Sequence, residues 1–162
     1  HFNELSIILV LLLSTKPKLT RMNIKKLFSG GITGAVAFFL LGWLIYGMLL
    51  MDFMNNHQGA AGNVQRAETD MQYLYLAIGN LAMGFMLAYV FLKGNVNSMG
   101  SGLITGGIIG ALVSVGVDCT MYGTTHVISK TAMAADVAAM TVMSAIVGAI
   151  VGMVMGMGKK AV

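Results

Sequence analysis

Charge is scarce in this chain of 162 residues: Asp, Glu, Lys and Arg together make up 10% of it. Against a hydrophobic fraction of 57% and a mean hydropathy of +0.80, that is too little polar surface to coat a soluble domain, so the chain belongs in a bilayer. Long polar connections are missing too, which leaves no room for a soluble domain beside the membrane part. Cysteine occurs once, at Cys119, so an internal disulfide is excluded and the redox compartment stays open. There is no HExxH, no phosphate-cradling glycine loop ahead of a soluble helix and no evident serine, histidine and acid arrangement, and the expectation is a non-enzyme without cofactor. The formal net charge of +4 comes without a basic stripe interleaved with exposed aromatics, which argues against a nucleic-acid partner.

What is present is four apolar runs, at 28–51, 71–92, 102–123 and 133–157. Each reaches the about 20 helical residues that cross roughly 30 Å of hydrocarbon. The runs are continuous rather than alternating, which selects helices over the strands of a barrel. The fold class expected is therefore all-α: a polytopic membrane protein with four transmembrane helices in an antiparallel up-down bundle over residues 22–158, followed by a basic tail at 159–162. Lys16, Lys18, Arg21, Lys25, Lys26, Lys93, Lys159 and Lys160 fall on one side of such a bundle, and only Arg66 and Lys130 on the other. The positive-inside rule then places both termini in the cytoplasm. Tyr73, Tyr75 and Tyr122 fall at the expected outer interface and Tyr89 near the inner one, while Trp43 lies deep in the first run.

Residues 1–21 stand apart. Their apolar stretch at 5–13 is too short to span, its charges follow it instead of preceding it, and no small-residue cleavage site comes after. Met22-Asn23-Ile24-Lys25-Lys26 reads as the start of an inner-membrane protein, so the expectation is that Met22 initiates and the residues before it are an extension. Further along, Thr69 and Gln72 form a capping-box pattern ahead of the second helix, and Lys93-Gly94 forms a stop signal at its end.

Glycine is the most informative residue, with 21 copies. Gly102, Gly106, Gly110, Ser114 and Asp118 form one series at four-residue spacing; Ser144, Gly148, Gly152 and Gly156 form another, with Asp136 upstream. Residues four apart stack on one helix face, so each series is a small-residue ridge of the glycine-zipper kind, suited to packing within the chain or between copies. Aligning the ridges sets Gly110 near Gly148 and Ser114 near Ser144, which brings Tyr122 close to Asp136 with Asp118 about one turn, roughly 5 Å, below. Asp118, Asp136 and Tyr122 are thus candidates for an outer cation or proton site, the alternative being an interfacial acid satisfied by a phenol or a helix cap. The stretch Ser29-Gly30-Gly31-Ile32-Thr33-Gly34 also echoes Ser101-Gly102-Leu103-Ile104-Thr105-Gly106, as two parallel-repeat hairpins would.

Met48, Met51, Met54 and His57, three apart, offer thioether and imidazole groups to a soft ion such as Cu(I), with Met121, His126 and Met133 available from the other connection. The competing reading is flexible apolar filler. Asn80, the amide inside the second run, is expected to act as interhelical glue.

Residues 22–158 resemble small bacterial four-helix integral membrane proteins of unknown function. The resemblance is carried by Met22 to Lys26, by Leu40-Leu41-Gly42-Trp43-Leu44-Ile45-Tyr46-Gly47, and by Ala135-Asp136-Val137 followed by Ala145-Ile146-Val147-Gly148. It implies the four-helix architecture and a bacterial inner membrane, and it assigns no activity. The leading expectation is a structural or accessory protein of that membrane, in contact with lipid and possible copies of itself; the alternative is a small oligomeric transporter or channel for an ion or small solute, and a copper binder comes third.

Overall fold

A computed structural model describes residues 23–62, 64 and 66–157. The segment 1–22 and the tail 158–162, on which the readings of Met22, Lys159 and Lys160 rest, lie outside these residues. The described chain is helical: α1 (Ile24–Leu44) runs into a π turn (Ile45–Leu49), then follow the short α2 (Met51–Asn56), α3 (Tyr73–Lys93), α4 (Met99–Thr124) and α5 (Lys130–Gly156). Four of these helices, α1 with its π turn, α3, α4 and α5, are long and apolar enough to cross a membrane.

Side chains set most of the helix starts. Asn23 accepts from the Lys26 N–H and opens α1; Ser98 and Ser101 form a reciprocal capping box on α4; Ser129 accepts from the Ala132 N–H and opens α5. The Thr69–Gln72 box does not form. Thr69 sits in a 3₁₀ turn (Glu68–Asp70), and Gln72 is the N-cap without using its side chain. At the far end of α3, Gly94 stays near a helical turn and Asn95 takes the left-handed conformation (φ 53°), so the chain turns one residue later than Lys93-Gly94 suggests. Val96 N–H then reaches the Phe91 carbonyl at 2.9 Å, which closes the helix end.

Two helix pairs make up the bundle. In one, α4 lies on α5 with almost nothing between backbones: a Cβ on Gly102 would strike the Gly148 carbonyl, one on Gly106 the Ser144 carbonyl, and one on Gly110 the Ser144 side chain. Gly152 and Gly156 are closed off in the same way by the carbonyls of Ser98 and Asn97. In the other pair, α1 lies on α3, where a Cβ on Gly34 would come within 3.1 Å of the Gly84 Cα. The two pairs bury equivalent positions. Gly30, Gly34, Ala35 and Phe38 of α1 match Gly102, Gly106, Gly107 and Gly110 of α4; Gly84, Leu87, Ala88 and Phe91 of α3 match Gly148, Val151, Gly152 and Met155 of α5. The echo between residues 29–34 and 101–106 is therefore an echo of packing as well as of sequence.

The apolar core lies between the pairs. Phe38, Leu87, Ala88, Phe91, Met143, Val147, Val151 and Met155 form it, drawn from α1, α3 and α5. In lipid such a core is held by close van der Waals contact rather than by exclusion of water, which is why backbones approach wherever glycine permits. One end of the bundle carries the connections 57–72 and 125–129. There Gln58 and Ile128 pair in an isolated antiparallel bridge, the Ala61 N–H donates to the His126 carbonyl at 2.9 Å, and the Ser129 hydroxyl donates to the His57 carbonyl at 2.5 Å. We call this the looped end. At the opposite end the Lys26 ammonium donates to the Met155 carbonyl at 2.5 Å, tying the start of α1 to the last turn of α5.

Candidate functional site

The α4–α5 contact is offset from the alignment inferred above by about one turn. Gly106 meets Ser144 and Gly148, and Gly110 meets Met140 and Ser144, so Gly110 lies away from Gly148. A ridge that repeats every four residues looks the same after sliding one turn, and spacing alone cannot choose between the two registers. The slide has a chemical consequence: Asp118, rather than Tyr122, comes to face Asp136. Both acids stand six residues inside their helix ends, about 9 Å of rise from the looped end.

Asp118 is 5% exposed, and its Oδ2 has no hydrogen-bond partner among the described residues. Asp136 is half-buried across from it. The third member of the cluster comes from α1. Tyr46, in the π turn, brings its hydroxyl beside the Asp136 carboxylate and within electrostatic reach of Asp118, yet the buried hydroxyl falls outside hydrogen-bond geometry to any described group. The hydroxyls of Ser114, one turn before Asp118, and of Ser144 on α5 are buried and without partners as well. Buried polar groups are normally satisfied, and leaving one unmade costs about 1–3 kcal/mol. The four form a polar string along the seam of α1, α4 and α5, from Ser144 against Gly110 to Asp118 and Tyr46 beside Asp136, about 12 Å of rise further along.

Tyr122 is elsewhere. It is 40% exposed, with the Lys130 ammonium 5.9 Å above its ring, in a surface hollow of about 380 Å³ shared with Gln58 and His126. The phenol that the site uses is Tyr46. Its place could have been read from the echo, because extending the match of Gly34 with Gly106 puts Tyr46 at the position in the first helix that Asp118 holds in the third.

The methionine and histidine series is broken up by the backbone. Met48 falls in the π turn, Met51 and Met54 fall in α2, and Leu50 interrupts the helix between them. His57 ends α2 with its Nδ1 2.8 Å from the Phe53 carbonyl and its ring stacked on Phe53 at 4.2 Å. These four residues share no helix face. Met121 and His126 are exposed, Met133 is half-buried, and among the described residues no three His, Cys, Asp or Glu side chains gather around one point. Asn80 donates to the Leu76 carbonyl of its own helix at 2.7 Å instead of bridging to another.

Beside the acid cluster lies a cavity of about 980 Å³, between the looped halves of α1 and α3 and walled by Met140 and Met143 of α5. Tyr46 lines it, so one ring borders the cavity while its hydroxyl faces the acids. No protein-family model, no curated protein and no solved structure matches the chain.

Proposed function

We propose that this chain is a non-enzymatic, multi-pass protein of the bacterial inner membrane that takes up a proton or a monovalent cation at Asp118 and Asp136 from the outer side. The helices alternate up and down, the two termini face the cytoplasm, and the looped end faces outward; the distribution of Lys and Arg supports this orientation. The contact of Gly102 with Gly148 and of Gly110 with Ser144 supports an antiparallel α4–α5 pair. One observation carries the functional reading: the water-shielded Asp118 carboxylate, with an oxygen left without a partner, faces a second carboxylate. Charges of one sign held together away from water call for a counter-charge, and an intramembrane acid without a cationic partner is a functional candidate by default. Among the described residues no Lys or Arg acts on the cluster, so the counter-charge in this reading comes from solution.

Such a site serves transport or a channel, and four helices seldom enclose a pathway alone. A homo-oligomer would associate through a face other than the glycine ridges, which are consumed inside the chain. The test is flux in proteoliposomes under an imposed proton, Na⁺ or K⁺ gradient. Wild-type flux that disappears in both Asp118→Asn and Asp136→Asn supports the reading, and equal flux in wild type, variants and empty vesicles rejects it. A second reading, a structural or accessory role without solute, is favoured by the glycine contacts, which make α4 and α5 a rigid unit whatever the acids do.

A further inference from the structure

The cavity between α1 and α3 is not needed by a site for a bare ion. It measures about 980 Å³, at the upper end of the roughly 300–1,000 Å³ that suits a drug-sized organic guest. Its wall combines methionines with six aromatic rings, those of Phe38, Phe39, Trp43, Tyr46, Tyr73 and Tyr75. Aromatic faces attract cations, and they do so most where water is excluded. Arg66 is the charged side chain that lines the cavity among the described residues, and its guanidinium is engaged by Asp70 at 3.1 Å. Behind Tyr46 stand Asp118 and Asp136. An anionic guest, such as a lipid phosphate, would find no uncommitted cation in this wall and would face the field of the acids. A guest that is apolar, bulky and positive would find the methionine and aromatic wall suited to it, with the Arg66 charge offset by Asp70.

We propose that this cavity binds lipophilic organic cations, whose charge is balanced across Tyr46 by the Asp118–Asp136 pair. The guest would lie with its apolar groups against the methionine wall and its positive centre toward the Tyr46 ring. This inference rests on the carboxylates being available to carry charge, as the proposed function requires, and it names the class of solute that they serve. Tyr46 is the one residue common to the cavity wall and the acid cluster. Its place in the π turn is what aims it at both, because the wider turn interrupts the regular progression of side chains around α1.

Trp43 is the only tryptophan in the chain and lines this cavity, so its fluorescence reports on the site directly. The experiment titrates the full chain, in nanodiscs of zwitterionic phosphatidylcholine, with tetraphenylphosphonium and with tetraphenylborate, an anion of the same shape. Gly79→Phe provides the blocked cavity: Gly79 lines the wall and a Cβ there meets nothing within 4 Å, so the larger side chain is accommodated in the space a guest would use. The expected result is a saturable quench by tetraphenylphosphonium that is lost in Gly79→Phe and weakened at least tenfold in the Asp118→Asn, Asp136→Asn double variant. Tetraphenylborate should show only the linear quench of partition into lipid. The inference is overturned by a Gly79-dependent quench from the anion, by a phosphonium quench identical in Gly79→Phe, by no quench at all, or by binding that ignores the acid substitutions. Infrared titration of the two carboxyls without phosphonium separates the readings. If the acids exchange protons while the phosphonium does not bind, the organic-cation inference fails and the ion site stands.

Discussion

The two helix pairs bury the same positions near the terminal end and part company toward the looped end. In the α4–α5 pair the small residues continue through Gly110, Ser114 and Ser144, so the helices stay in contact down to Asp118 and Asp136. In the α1–α3 pair the position equivalent to Gly110 is Phe38, and beyond it Gly42, Gly79 and Asn80 line an open cavity instead of a contact. The size of a side chain on one ridge thus decides whether two membrane helices close or spread. The closed pair shields two acids from water, and the open pair leaves space beside them.

The largest effect should come from forcing the closed pair apart. Gly148→Leu would drive a side chain into the Gly102 backbone, whereas Gly116→Leu, on the same hairpin, projects into open space. Thermal unfolding in detergent should show a loss of about 1–3 kcal/mol or more for Gly148→Leu and almost none for Gly116→Leu; comparable losses would dissolve the distinction between the ridge and the lipid face. Gly84→Leu carries the same test to the other pair, where the Gly31 carbonyl and the Ala35 backbone lie in the way, and a loss of similar size is expected. A small loss there would mean that the first hairpin yields where the second does not.

Smaller effects sharpen the comparison. Ser129→Ala removes both a helix cap and the hydrogen bond to the His57 carbonyl that joins the two connections. It should cost about 1 kcal/mol and speed amide exchange at the looped end, including residues 58–61. Asp118→Asn ends the opposition of like charges, so it should raise stability by on the order of 1 kcal/mol while removing flux, a split that a purely structural acid would not show. Asn80→Ala should shift stability by less than about 0.5 kcal/mol, since the amide bonds only to its own helix.

The spans were legible because length and hydropathy alone locate them. The runs expected at 71–92, 102–123 and 133–157 match α3, α4 and α5 to within three residues at each end. The first run was harder: Gly47 lies in the π turn at Ile45–Leu49, but glycine is scattered through all four runs and does not mark this break, and the interruption at Leu50 undoes the spacing from Met48 to His57. Gly102, Gly106, Gly148 and Gly152 pack as their spacing suggests, but their register was not in the spacing, because the ridge is its own image one turn away. That ambiguity exchanged Tyr122 for Asp118 opposite Asp136. Gly30, Gly34 and Gly84 form a second close approach that was not read from the spacing, because the glycines of the partner helix, Gly79 and Gly84, are five apart and make no matching ridge. Tyr46 was missed because a tyrosine near the end of an apolar run suits an interfacial belt equally well. Only its correspondence with Asp118 in the other hairpin would have singled it out.

The central claim is that the carboxylate pair carries an exchangeable counter-charge. Infrared spectroscopy of the protein with isotope-labelled aspartate, in lipid at neutral pH and in buffer free of alkali cations, tests it most directly. The account predicts a protonated carboxyl band that vanishes in Asp118→Asn and diminishes when Na⁺ or K⁺ is added if a cation is the natural occupant. A spectrum in which every aspartate is ionised under these conditions would contradict it.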